Sequence, residues 1–187
     1  MAIEIQQLTV EQYLALEAES EIKHEYIDGE IFPMPGGTLN HDTLIMNLTG
    51  ALFPQLIGSD CRLHTSHMRV GLSPTRYVYP DLTAVCGEAE TDHGTTTLLN
   101  PAVVVEVISP SSFERDRVRK VELYGAVPSI QGYLILDQER VFAQWYTRSE
   151  SGWHLRQFSN LADEIELEPL GCTLRLEDVY RSVNLGA

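Results

Sequence analysis

The sequence predicts a mixed α/β (α+β) fold, a central sheet covered by helices. Three observations predict it. The elements read in the order helix, strand, helix, several strands, helix, strands, which suits layers of sheet and helix. The run Val103, Val104, Val105, Glu106, Val107, Ile108 is apolar on both alternating faces, as in a strand covered on both sides. Two helix starts carry capping signals, Thr9 with Gln12 and Ser111 with Glu114.

The elements follow in order. Thr9 opens a short first helix in "TVEQYLALEAE". "HEYIDGEIFPM" reads as a hairpin turning at Asp28-Gly29. Leu44, Leu48, Ala51, Leu52 and Leu56 recur at helical spacing, which predicts a helix from about 40 to 57. "DCRLHTSHMRVGL" and "RYVYPDLTAVC" predict two strands separated by a turn at Ser73-Pro74. In the second, Tyr77, Tyr79, Asp81, Thr83 and Val85 share one face, and Val78, Pro80, Leu82, Ala84 and Cys86 share the core face. A polar loop over 87–100 precedes the Glu106 strand. Pro110 ends that strand, and "SPSSFERDRVRKVELYGA" starts a helix. "GYLILDQERVFAQWYTR" predicts strand, turn at 137–139 and strand; "GWHLRQFS" adds another, and "TLRLEDVY" closes the chain with a strand and a helical turn. No repeat or linker divides the 187 residues, so one domain over 1–187 is expected.

Composition narrows the class. Hydrophobic residues make up 43% and charged residues 21%, the balance of a globular chain. No apolar run approaches the roughly 20 residues that span a bilayer. "MAIEIQQLTVEQYLALEAES" has neither the basic start nor the apolar core of a signal peptide, so a cytoplasmic location is expected. Cys61, Cys86 and Cys172 are isolated and odd in number, and no disulfide framework is expected. The net charge of −14 argues against a broad nucleic-acid surface, which is usually basic. Positive charge is densest in "RDRVRK", residues 115–120, just after the Glu106 strand; with Arg62, Arg69 and Arg76 it offers the local basic path.

Chemistry centres on Glu106. A lone carboxylate inside an apolar strand is costly to bury, so it needs partial exposure, a proton, or a partner. Asp81 stands beside Pro80, which cannot donate to a ladder and marks a distortion that re-aims side chains. Two adjacent carboxylates repel, and a divalent ion relieves them. Mg²⁺ takes one or two carboxylates with waters and phosphate, activates water and stabilises a phosphodiester in transit. Lys120 lies two turns into the following helix, where it can reach back over the strand, and Asp116 precedes it by four residues. Each of these also has an ordinary structural reading, as a turn acid, a buried ion pair or a surface i,i+4 pair. His64 and His67 are three apart, which on a strand sets them on opposite faces and argues against zinc. His41 opens the second helix and can point into a cleft.

The ordered set resembles the Uma-two family of restriction-endonuclease-like proteins, in the PD-(D/E)XK nuclease superfamily, from about Leu8 to Tyr180. "HEYIDGEIFPM" supplies Glu25, "GGTLNHDTLIMNL" His41, "YVYPDLTAV" Asp81, "PAVVVEVISPSS" Glu106, and "DRVRKVELY" Asp116, Lys120 and Tyr124. The resemblance implies a central mixed sheet flanked by helices and a metal site from Asp81 and Glu106, with Glu25 as a further acid. It implies a Mg²⁺-dependent endonuclease (Mn²⁺ as substitute) with Asp81, Glu106 and Lys120 catalytic, and homodimers. The substrate it implies is DNA, or else RNA, with Arg115 and Arg119 as candidate nucleic-acid contacts. The alternative is a catalytically inactive or regulatory binding module on the same fold. One departure stands out: the superfamily's usual lysine, two residues after the glutamate, is Ile108 here, and Lys120 would substitute.

Overall fold

The computed structural model describes residues 7–34, 36–108 and 113–186, without the side chains of 113–118. Helix α1 spans Val10–Glu19. Its capping box forms as expected: Thr9 N donates to Gln12 Oε1 at 2.8 Å, and Gln12 N donates to Thr9 Oγ1 at 3.3 Å. Strands β1 (His24–Ile27) and β2 (Glu30–Pro33) make the expected hairpin, with Asp28 and Gly29 both left-handed at φ 52° and 103°. Helix α2 spans Leu39–Leu52 and ends sooner than its apolar spacing predicts. Pro54 lacks an N–H, and the chain tightens into a 3₁₀ turn over Phe53–Leu56.

Both long strands expected between 60 and 86 are broken in two. Strand β3 (Cys61–Thr65) turns into β4 (Arg69–Ser73), and β5 (Arg76–Val78) is separated from β6 (Leu82–Cys86) by Tyr79, Pro80 and Asp81. At each break the chain changes sheet. The alternation expected across "RYVYPDLTAVC" therefore resets at Pro80. Leu82, Thr83, Ala84 and Val85 are all buried, so both faces of β6 are core. The polar loop holds two short strands, β7 (Thr91–Asp92) and β8 (Thr97–Leu98). Strand β9 (Val103–Ile108) carries Glu106, and α3 (Phe113–Gly125) follows. The expected Pro110 stop and the Ser111–Glu114 cap fall outside the described residues and side chains. Then come β10 (Gly132–Asp137), β11 (Ala143–Ser149) and β12 (Gly152–Phe158). Strand β13 (Glu164–Leu167) pairs with β14 (Cys172–Arg175), and α4 (Leu176–Val179) follows. The sequence reading missed β13, although Ile165 and Leu167 alternate inward against exposed Glu164 and Glu166.

The fold is the expected mixed α+β class. Its central sheet runs β12-β11-β10-β9-β6-β3, and only the β9–β10 pair within it is parallel. Alternation on β9 splits the sheet's two cores. Val103, Val105 and Val107 pack with Leu44, Leu48 and Leu52 of α2, with α4 and with the β13–β14 ribbon. Val104 and Ile108 pack with Tyr124 of α3 and with Val70, Val78 and Leu98 of a second sheet, ordered β2-β1-β5-β4-β8-β7. Helix α1 covers the far face of that second sheet, where Tyr13 stacks on Tyr26 at 4.8 Å and packs on Tyr77. The acids thus lie between two sheets.

Two expectations need correcting. Cys61 and Cys86 stand directly opposite each other in the β3–β6 register and form a disulfide, against the reading that the cysteines are isolated. They are 25 residues apart, and only strand pairing brings them together. Two cations of the expected basic path are also withdrawn. Arg69 is buried toward α1, and Arg76 is paired with Asp28 at 2.7 Å. Among the described residues, no helix is long and apolar enough to cross a membrane.

Candidate functional site

The site is built where the β6–β9 ladder stops. Pairing runs only from Ala84↔Val103 to Leu82↔Val105. Pro80, lacking an N–H, cannot donate to it, and the next β9 donor, the N–H of Val107, lies beyond the last paired residue. Asp81 Oδ2 accepts that N–H at 2.7 Å. The Pro-Asp pair therefore ends the ladder and fixes a carboxylate against the strand of Glu106. Both acids are buried, Asp81 at 8% exposure and Glu106 at 5%.

Glu106 has both a cation and a neutral donor. Lys120 Nζ donates to Glu106 Oε1 at 2.7 Å, and Tyr124 OH donates to the same oxygen at 2.6 Å. Lys120 and Tyr124 are four apart and so share one face of α3. Tyr124 is held edge-on by Tyr133, at 4.8 Å between ring centres. Ile108, on the same face of β9 as Glu106, is part of the core behind α3. Lys120 reaches the glutamate from the helix, while the position two residues after the glutamate is filled by packing.

Glu25 and His41 complete the group. Tyr26 points to α1, so its neighbour Glu25 points the other way, and Lys120 Nζ lies 3.2 Å from Glu25 Oε1. That oxygen is buried and receives no hydrogen bond among the described residues. The ammonium is close enough for an ion pair but is aligned on Glu106. His41 Nε2 lies 3.2 Å from Asp81 Oδ2. Thr38 caps α2 by accepting from His41 N at 3.2 Å, and Asn40 ties the helix start to Gln138 O at 3.0 Å. A Cβ on Gly37 would sit 2.8 Å from His41 Nδ1, so only glycine lets the imidazole lie against that backbone. The structure brings Asp81, Glu106, Lys120, Glu25 and His41 together. The Asp116 and Arg115 side chains lie outside the description. Arg119 lies over the Phe32 ring at 4.6 Å, on the wall of a cavity of about 300 Å³ that Glu25 and Lys120 also line. The sequence reading placed Tyr124 only in a motif; its i+4 spacing from Lys120 was the available signal.

Burial pushes Glu106 up to about 7; Lys120 opposes this, and Asp81 and Glu25 add to it. Burial pulls the Lys120 ammonium down, but Glu106 and Glu25 outweigh burial and hold it well above the usual lysine value. The hydrogen bond to Asp81 raises His41, against burial. A carboxyl raised on folding stabilises the folded state most at low pH. For metal-free protein, the Glu106 contribution is full below its ordinary 4.5 and is lost as pH rises through about 7. Glu106→Gln should therefore flatten the fall in melting temperature between those values. Parallel slopes for the two proteins would place Glu106 outside this titration.

The donor set suits a hard divalent ion. Asp81, Glu106 and Glu25 offer only oxygen, and Glu25 Oε1 is an orphaned buried acceptor. Lys120 now supplies the compensating charge between Glu106 and Glu25. Among the described residues, no three acids, histidines or cysteines already form a metal cage, so an ion held here would need waters or substrate to complete its shell.

Known proteins resemble this chain in sequence or in fold. The Uma2 family, described as "Putative restriction endonuclease", matches residues 10–177. The chain is 32% identical over 177 residues to the protein slr1290 of Synechocystis sp. (strain ATCC 27184 / PCC 6803 / Kazusa), covering 94% of this chain and 93% of that one. It is 31% identical over 162 residues to sll1609 of the same strain, covering 85% and 92%. The crystal structure of "a putative nuclease belonging to DUF820 from Anabaena variabilis ATCC 29413" superposes with a TM-score of 0.75 at 15% identity, covering 92% of this chain and 97% of that one. At that identity the likeness is one of fold.

Proposed function

The chain belongs to the Uma2 family, and on that premise we propose that it is a Mg²⁺-dependent endonuclease that hydrolyses nucleic-acid phosphodiester bonds, with DNA as the preferred substrate over RNA. Family and fold together point to a restriction-endonuclease-like nuclease. The observation that carries the reading is the convergence of Asp81 and Lys120 on Glu106: one through the N–H of the adjoining residue, the other through a direct ion pair.

Asp81 and Glu106 would hold the ion, with Glu25 as a further carboxylate; Mn²⁺ would substitute. When bound, the ion supplies Lewis acidity toward water and the scissile phosphate. The protein's own groups do the rest. Val107 N and His41 fix the orientation of Asp81. Tyr124 holds Glu106 in place. The Lys120 ammonium then orients the attacking water or a phosphate oxygen, a role that needs position more than basicity because its pKa is high. Arg119, on the cavity wall beside Lys120, and Arg115 would meet the nucleic-acid backbone. The reading takes the chain as one domain acting in the cytoplasm as a homodimer.

A second reading has its own observation. Lys120 is already ion-paired with both Glu106 and Glu25, as it would be in a catalytically inactive binding module. Calorimetric titration with Mg²⁺ and Mn²⁺, run beside cleavage of supercoiled plasmid and of RNA, separates the two. The endonuclease reading expects saturable metal binding and plasmid nicking that a chelator stops. No metal binding at millimolar ion, together with intact DNA and RNA, would leave the binding module.

A further inference from the structure

We propose a second ligand site, for a phosphate monoester or free phosphate, on the opposite face of the second sheet from the carboxylate cluster. The observation is a buried arginine without a counter-ion. Arg69 is 6% exposed. Its Nε donates to Thr97 Oγ1 at 2.9 Å and its Nη2 to Thr96 Oγ1 at 3.4 Å, both neutral hydroxyls. Its guanidinium lies over the rings of Tyr13 at 5.8 Å and Tyr77 at 5.5 Å. Arginine does not shed its proton, so Arg69 keeps its charge while buried, and among the described residues no carboxylate lies within ion-pair distance of it.

Register sets the direction of Arg69. Gly71 pairs with Tyr77 on β5, so Arg69, two residues earlier on β4, shares the tyrosine face toward α1. Val70 points the other way, into the core that backs α3. Arg69 therefore opens into a separate cavity of about 420 Å³, between the end of α1 and the turns that carry His67 and His93. That volume is in the range of small-molecule sites, roughly 300–1,000 Å³.

The wall chemistry favours phosphate. A guanidinium fork matches two oxygens of a phosphate or carboxylate. His67 and His93 line the same cavity. His67 Nδ1 lies 3.3 Å from Thr65 Oγ1 and His93 Nε2 lies 3.5 Å from Asp92 Oδ2, so each imidazole keeps one ring nitrogen to offer an anion. Glu17 is the acid on the wall, but it is occupied: its carboxylate accepts from His24 N at 3.1 and 3.2 Å and faces His24 Nδ1 at 3.1 Å. Lys23, over the Tyr79 ring at 5.6 Å, adds positive charge to this side of the molecule. A bound phosphate would receive the Nη1 side of the Arg69 guanidinium, since Nε and Nη2 are given to the threonines, and the remaining ring nitrogen of each imidazole. The site is independent of the nuclease reading, because it shares no residue with the carboxylate cluster.

The test is calorimetric titration of the full chain with inorganic phosphate, and with a short oligonucleotide with and without a 5′-phosphate. The wild type should bind phosphate saturably, with a Kd of about 1 mM or tighter. Arg69→Met should bind at least about tenfold more weakly, as expected for a lost charge-assisted contact. Lys120→Met should bind as wild type, which separates this site from the nuclease site. Tighter binding of the 5′-phosphorylated oligonucleotide than of its unphosphorylated twin assigns the site to an esterified phosphate. Binding of inorganic phosphate alone assigns it to the free ion. His67 and His93 are exposed, so the double variant His67→Ala, His93→Ala keeps the fold and decides the matter if Arg69→Met does not fold. It should lose affinity several-fold. Absence of saturable binding by the wild type, or unchanged affinity in the folded variants, overturns the proposal. Arg69 would then be a structural cation, which Met replaces with no loss of stability.

Discussion

Asp81→Ala and Glu106→Ala should each lose Mg²⁺-dependent cleavage by on the order of 10³-fold or more while staying folded, since the ion supplies several kcal/mol of transition-state stabilisation. The two losses should not add, because either carboxylate alone leaves the ion misplaced. Asp81→Asn is the sharper test. Its amide oxygen can still accept from Val107 N, so the strand junction survives while the charge goes. Lys120→Met should separate binding from chemistry. It should keep or tighten metal affinity, because the ammonium that competes for Glu106 is gone, yet lose cleavage. Single-turnover cleavage and metal calorimetry on the same preparations give both readings. Cleavage retained in both alanine variants would remove these acids from the site. Retained cleavage in Lys120→Met would reduce the lysine to a structural counter-ion.

Gly132→Ala should be the most damaging small substitution for the fold. Gly132 opens β10 beside Trp145 on β11. A Cβ there would lie 2.0 Å from Trp145 Cη2 and 2.8 Å from two further ring atoms. The indole cannot swing aside cheaply, because it is fully buried and its Nε1 donates to Glu168 Oε2 at 3.0 Å. Overpacking of this kind costs about 3 kcal/mol or more. For a chain of this length that lowers the melting temperature by roughly 6–12 °C. Thermal unfolding followed by circular dichroism measures it. A variant melting within about a degree of wild type would mean that the indole does not pack over residue 132. Strands β9 and β10 are parallel neighbours, so a displaced β10 should also loosen the strand that carries Glu106.

Much of the fold was legible because its signals are local. The Thr9–Gln12 box, the Asp28-Gly29 turn and the Val103–Ile108 run each depend on residues within one turn or one strand. Where the reading failed, the cause was pairing at a distance. "RYVYPDLTAVC" looks like one strand, because alternation continues through Pro80. It is two strands, because its halves find different sheets. Cys61 and Cys86 look isolated for the same reason, since nothing in the sequence around either announces the β3–β6 register. Arg69 and Arg76 look like exposed cations, yet one is roofed by tyrosines and the other is paired with Asp28.

The carboxylate cluster divides along the same line. By itself the sequence determined that Glu106 needs solvent, a proton or a partner, because an apolar run on both faces is costly ground for a lone carboxylate. It also determined that Asp81 stands at a distortion, because proline cannot donate. Only the tertiary structure decided which compensation is used. Lys120 and Tyr124 reach Glu106 because α3 packs back over β9, and Asp81 takes the Val107 N–H because the β6 ladder ends at Leu82. Spacing along a chain fixes which residues share a face of one strand or helix. Which faces then meet depends on how all the buried surface is shared among the sheets, and no single segment carries that information.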